Sequence, residues 1–156
     1  MKIVVLTVSQ SYEPWLNEVI ENYSKKIGFH YPFEVQTLKG KKTERDFADF
    51  KKKADSDLIL SKITNDDYVL LMDERGQSLD SVKFSQKLSQ SFISGKKRLV
   101  IVIGGAFGVS DELKAKAQLT VKLSEMVLNH HIALAVVLEQ VYRGIAILKN
   151  LPYHNV

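Results

Sequence analysis

A chain of 156 residues, 45% hydrophobic and 26% charged, has the composition of a globular protein long enough to bury a core without disulfides or a structural metal. It has no cysteine, which excludes disulfides, thiolate metal ligation and cysteine nucleophiles and points to the cytoplasm. Its 22 Lys and Arg against 18 Asp and Glu leave a net charge of +4, bunched at Lys39, Lys41 and Lys42, at Lys51-Lys52-Lys53 and at Lys96-Lys97-Arg98. That bunching permits a nucleic-acid partner through phosphate neutralisation, and it is also what solvated helix ends and loop tips look like.

Residues 2–8 are a β-branched apolar run, which predicts a buried strand. The run is too short for a signal-peptide core, and no stretch approaches the roughly 18 apolar residues that span a bilayer, so no membrane is expected. Over residues 12–27, Trp15, Leu16, Val19, Ile20 and Tyr23 have helical spacing, which Gly28 ends. Phe33, Val35 and Leu38 suggest a second strand. Thr43-Glu44-Arg45-Asp46 has the form of a helix start, with the helix running to about Ile63 and a break expected near Asp55-Ser56-Asp57. Tyr68 to Met72 is a continuous apolar strand left by the loop Asp73-Glu74-Arg75-Gly76. A helix from Ser78 to Ser94 carries Val82, Phe84, Leu88 and Phe92 on one side and stops at Gly95. Leu99 to Ile103 is the strongest strand. A short helix over 110–118, a short strand over 120–123 and a long helix over 130–149 complete the chain.

Strands alternate with helices, and the central strands are apolar at successive positions. They are therefore buried on both faces, which makes this an α/β fold: a mostly parallel sheet with helices on both faces, in one domain spanning residues 1–156.

In such sheets, ligands bind beyond the carboxyl ends of the strands. Two expected loops lie there: Met72-Asp73 and Gly104-Gly105-Ala106-Phe107-Gly108. The glycines suit a ligand cradle, or only a tight turn; neither a phosphate-loop nor a dinucleotide fingerprint is present. The last helix is apolar nearly all round, as expected of a helix packed on its own domain and on a partner. Glu139 and Arg143 lie one turn apart and either pair structurally or present the guanidinium to a phosphate or a base. His130 and His131 diverge by roughly 100° on a helix, which disfavours joint metal ligation, and no metal is expected. Pro152-Tyr153-His154 could fold over a pocket or remain a loose end.

With these residues in hand, the chain resembles the RlmH family of SPOUT-class methyltransferases. The resemblance spans the full length and is most specific from residue 68 onward. Its markers are Met72-Asp73-x-x-Gly76, Ile103-Gly104-Gly105-x-x-Gly108, Leu123-Ser124-x-Met126, His130, Glu139-Gln140-Val141-Tyr142-Arg143 and Pro152-Tyr153-His154. It implies a C-terminal trefoil knot, an S-adenosylmethionine site and a homodimer through the C-terminal helix. The implied activity is methylation of N3 of a pseudouridine in 23S ribosomal RNA, on the 70S ribosome or on free RNA. Carried over by position, the cofactor contacts are Met72, Gly104, Leu123, Ser124, Glu125, Met126, Val127 and Leu128. The catalytic group is His154 as proton acceptor, with Tyr153 positioning the base and Arg143 holding a phosphate or the histidine. The chain departs from the family pattern at Ser9, Val127, Asn129, Leu134 and Asn155. The loss of an Arg at Leu134 and of a terminal basic residue at Asn155 leaves a second reading: a ribosome-binding or assembly factor of the same fold with a lost or changed methyl-transfer substrate.

Overall fold

A computed structural model describes residues 1–40, 42 and 47–155. The elements run β1 (Lys2–Val8), α1 (Pro14–Gly28), β2 (Phe33–Leu38), α2 (Ala48–Leu60), β3 (Asp67–Ser78), α3 (Ser81–Phe92), β4 (Arg98–Ile103), α4 (Asp111–Lys116), β5 (Leu119–Lys122) and α5 (His130–Leu148). The five strands form one parallel sheet in the order β2-β1-β4-β3-β5.

The unbroken apolar runs have a simple cause. Side chains alternate across a strand, so Ile3 and Val5 of β1 and Leu99, Ile101 and Ile103 of β4 enter the layer beneath α1, α3 and α5. Val4, Leu6, Val100 and Val102 enter the layer beneath α2 and α4. The helices therefore cover both faces of the sheet, as expected.

Four expectations change in detail, and a fifth lies outside the described residues. β3 does not end at Met72 but resumes through Ser78, with residues 73–76 looped out between two pairings to β5: Val121 lies opposite both Met72 and Gln77. α2 shows no break at Asp55-Ser56-Asp57, because Asp55 and Ser56 are buried and bonded, to Lys51 and to the Ser110 N–H respectively. The helix start placed at Thr43 to Asp46 lies outside the described residues. Val82 is exposed and not part of the buried side of α3. Finally, α5 has 19 residues and is, by length and composition alone, apolar enough to cross a membrane, contrary to the sequence reading. Its Leu134, Val137, Leu138, Val141 and Ile145 are instead buried in the core against the sheet.

Candidate active site

Three loops leave the carboxyl edge of the sheet side by side: 73–76 within β3, 104–109 after β4 and 123–129 after β5. Met72 registers with Ile103 and Val121, so the loops start from adjacent strand ends. They enclose a cleft of about 560 Å³.

Glycines shape the walls. Gly108, at φ +78°, closes a turn in which its N–H donates to the Gly105 carbonyl at 3.1 Å. A Cβ on Gly104 would fall 2.7 Å from Cγ1 of buried Val109, so the bare backbone is what allows this loop to fold back. The far end is pinned by the Ser110 N–H, which donates to Ser56 Oγ on α2 at 2.8 Å. In the third loop the Met126 N–H donates to Ser124 Oγ at 2.9 Å, and Asn129 Oδ1 accepts the His131 N–H at the same distance, capping α5. Among the described residues, no hydrogen bond engages the backbone of Val127 or Leu128.

Met72, Gly104, Leu123, Ser124, Met126, Val127 and Leu128 all line this cleft. Glu125 does not; it points outward and pairs with Lys122 at 2.7 Å. Apolar Ile103, Val109 and Ala133 share the lining with the charged Asp73, Arg75, Asp111 and Lys114. Arg75, Phe107 and Lys114 were not singled out in the sequence, although Arg75 and Phe107 lie inside motifs that were. His130 lines the cleft with its pKa lowered, chiefly by burial and then by His131 and Lys51, so it faces the cleft as a neutral ring.

A smaller hollow of about 280 Å³ adjoins the cleft through Gly105, Ala106 and His130. On its wall Ser9 Oγ donates to the Ser11 carbonyl and accepts from His131 Nε2, both at 3.0 Å. A family departure is thus locked to the start of α5.

The tail residues gather elsewhere. Arg143 donates from Nε and NH2 to Glu139 Oε1 at 2.9 and 2.7 Å and from NH1 to His154 Nδ1 at 3.2 Å. The Tyr153 hydroxyl donates to the same Glu139 oxygen at 3.1 Å, and its ring lies 4.8 Å beneath the guanidinium. Of the roles open for Arg143, the ion pair with Glu139 and the hold on His154 coexist in one hydrogen-bonded unit. Burial first, then Tyr23 and Glu139, push the Tyr153 phenol well above its ordinary range, which keeps it protonated. A guanidinium only donates, so His154 Nδ1 carries the lone pair and Nε2 the proton. Ala133 lines the cleft, and Arg143 follows ten residues later on the same helix, about 15 Å along its axis. Arg143, Tyr153 and His154 form one cluster, and that cluster does not line its own chain's cleft. Tyr23, 130 residues before Tyr153 and 3.5 Å from it, belongs to the cluster; the sequence marked it only as an apolar position of the first helix.

Comparison with known proteins supplies the family. Residues 1–154 match the family model described as "Predicted SPOUT methyltransferase". The chain is 51% identical over 156 residues to the ribosomal RNA large subunit methyltransferase H of Bdellovibrio bacteriovorus, covering all of both chains. It is 36% identical to the enzyme of the same name from Flavobacterium psychrophilum, covering 99% of each. In fold it resembles a probable methylase family protein from Haemophilus influenzae, at a TM-score of 0.57 and 12% identity, over 99% of this chain and 70% of that one. Full-length matches in sequence, a shared fold and a cleft built from the expected loops lead to one conclusion: the chain belongs to the SPOUT methyltransferases, enzymes that draw their methyl group from S-adenosylmethionine.

Proposed function

We propose that this enzyme methylates N3 of a pseudouridine in 23S ribosomal RNA on the assembled ribosome, acting in the cytoplasm as a homodimer. Its single SPOUT domain, residues 1–156, holds a C-terminal trefoil knot through which the last helix is reached. The observation that carries the reading is the gathering of Met72, Gly104 and the 123–128 loop around one cleft, in a chain identical at half its positions to a large-subunit methyltransferase.

The cleft fits S-adenosylmethionine. Met72, Ile103, Leu123 and Leu128 supply apolar surface for an adenine, and the unengaged backbone of Val127 and Leu128 supplies its hydrogen-bond partners. Neutral His130 adds no charge against a cationic sulfur. When bound, the cofactor supplies an electrophilic methyl group on a sulfonium.

The remaining work belongs to the tail. Because the cluster stands about 15 Å down α5 from its own cleft, each cleft is completed by the tail of a second copy. There Arg143 holds His154 through Nδ1, so Nε2–H donates to a carbonyl oxygen of the acceptor base. Negative charge that grows on the imide as the N3 proton passes to solvent water and N3 attacks the sulfonium methyl is thereby stabilised. Tyr153 stays protonated and braces Glu139. In this arrangement His154 is a donor, in place of the proton acceptor that the family resemblance suggested.

The test is methyl transfer from labelled S-adenosylmethionine to purified 70S ribosomes and, separately, to free 23S RNA, with the product nucleoside identified by mass. N3-methylpseudouridine from ribosomes is the expected product. No transfer to either, with cofactor binding intact by calorimetry, would overturn the substrate and favour an assembly factor.

A further inference from the structure

One cation beside the tail is left unused by the mechanism above. The last turn of α1 carries Lys25 and Lys26 and packs on α5. Lys25 is tied to Glu21 at 2.7 Å, whereas Lys26 has no ion pair among the described residues. Its ammonium instead stands 5.3 Å from the Tyr23 ring centroid and 5.5 Å from that of Tyr142. Those rings lie 6.2 Å apart, and Tyr142 meets Tyr153 edge-on at 4.8 Å. Lys26 is thus held against the rings that hold the tail, while its side chain stays exposed.

The charge balance of the cluster says what it would receive. Arg143 is neutralised by Glu139 and Tyr153 stays protonated, so Lys26 is a positive group without an ion pair, among the described residues, on the rings that hold the tail. A compact ammonium held by aromatic faces has less freedom to lose on meeting an anion. We propose that Lys26, held by Tyr23 and Tyr142, is the contact for a backbone phosphate of the RNA whose base is presented to His154. This rests on the RNA-methyltransferase reading above, and it adds a phosphate-binding residue on α1 to a site composed of the loops, α5, the tail and Tyr23 of α1.

Lys26→Gln, Lys26→Glu and Lys26→Arg separate the possibilities, with melting temperature and cofactor affinity checked first because Lys26 also sits favourably at a helix C-terminus. The expected result for Lys26→Glu is a KM for 70S ribosomes raised about tenfold or more, with kcat within twofold. The dependence of log(kcat/KM) on log salt should flatten by close to one unit, and Lys26→Arg should restore both. Unchanged KM and salt slope in Lys26→Glu would overturn the assignment. So would a fall in kcat alone, which would make Lys26 a brace for the tyrosines. Equilibrium binding of the same proteins to 70S ribosomes at two salt concentrations reads the phosphate contact without catalysis. If the wild-type protein transfers no methyl group, the proposed reaction fails by itself, and this binding comparison still decides the role of Lys26.

Discussion

Gly104 works through a single missing carbon. A Cβ there would stand 2.7 Å from Val109 Cγ1, and Val109 is packed into the layer with Val100 and Val102, so it cannot yield freely. Gly104→Ala should push the loop into the cleft and weaken S-adenosylmethionine binding about tenfold by calorimetry, roughly 1.4 kcal/mol. Val109→Ala placed on top removes the obstructing methyl and should recover most of that loss; a double variant no tighter than the single would show that the contact is not the cause. His154 is decided by its tautomer. With Nδ1 accepting from Arg143, the ring donates from Nε2, so His154→Asn, which keeps an N–H donor, should retain more activity than His154→Ala. The alanine variant should lose about 100-fold in kcat. The wild-type rate should climb with pH as the imide proton becomes easier to lose. Asn and Ala variants equally inactive would make the ring the proton acceptor.

At the scale of elements, β3 and β4 are joined at their first residues by one bidentate pair. Arg98 Nε and NH2 each donate to Asp67 at 2.7 Å, and the Thr64 N–H donates at 2.7 Å to the same nearly inaccessible carboxylate. Burial alone would raise the Asp67 pKa, but the bonds from Arg98 and Thr64 together hold it below the ordinary carboxylate range. A folded pKa below the unfolded one gives stability that is complete above about pH 4 and is lost as pH falls through the folded value. Arg98→Met leaves the charge buried without its partner. It should cost about 3 kcal/mol by urea titration at neutral pH and move the acid-unfolding midpoint to higher pH. An unmoved midpoint would mean that Thr64 suffices. The strands themselves were legible because burial on both faces leaves an uninterrupted apolar signature. The second half of β3 was not, since Asp73 to Ser78 is a polar stretch whose pairing with β5 is purely tertiary. Asp55-Ser56 looked like a helix breaker because its partners, Lys51 and Ser110, become visible only when the helix is packed. Leu134 shows the converse. As a missing arginine it weighed against RNA binding, yet Leu134 is about 1% exposed and packed in the apolar core, so its identity here is explained by packing.

Taken as one body, the molecule leaves two things unfinished at once. The cleft-lining His130 and Ala133 and the cluster of Arg143, Tyr153 and His154, which the sequence left open to one chain or two, lie toward opposite ends of α5. Linear spacing could not reveal this, because α5 reaches both the cleft, at His130 and Ala133, and the cluster, at Glu139 and Arg143, and only its 1.5 Å rise per residue separates them. Met126 and Val127 before that helix and Ile132 and Leu148 on it also leave apolar surface exposed. A two-fold partner covering that surface would carry its tail to the cleft and receive a tail in return, two sites made by one symmetric contact. The prediction is complementation. Gly104→Trp should fill the cleft and His154→Ala should disable the tail, each homodimer being nearly inactive while still dimeric by sedimentation. Mixed in equal amounts and allowed to exchange, half the dimers become hybrids, and each hybrid carries one site with both parts intact. Activity should return to about a quarter of the wild-type level. If each chain instead served its own cleft, the hybrid would pair a filled cleft with a sound tail and an open cleft with a dead one, and mixing would restore nothing.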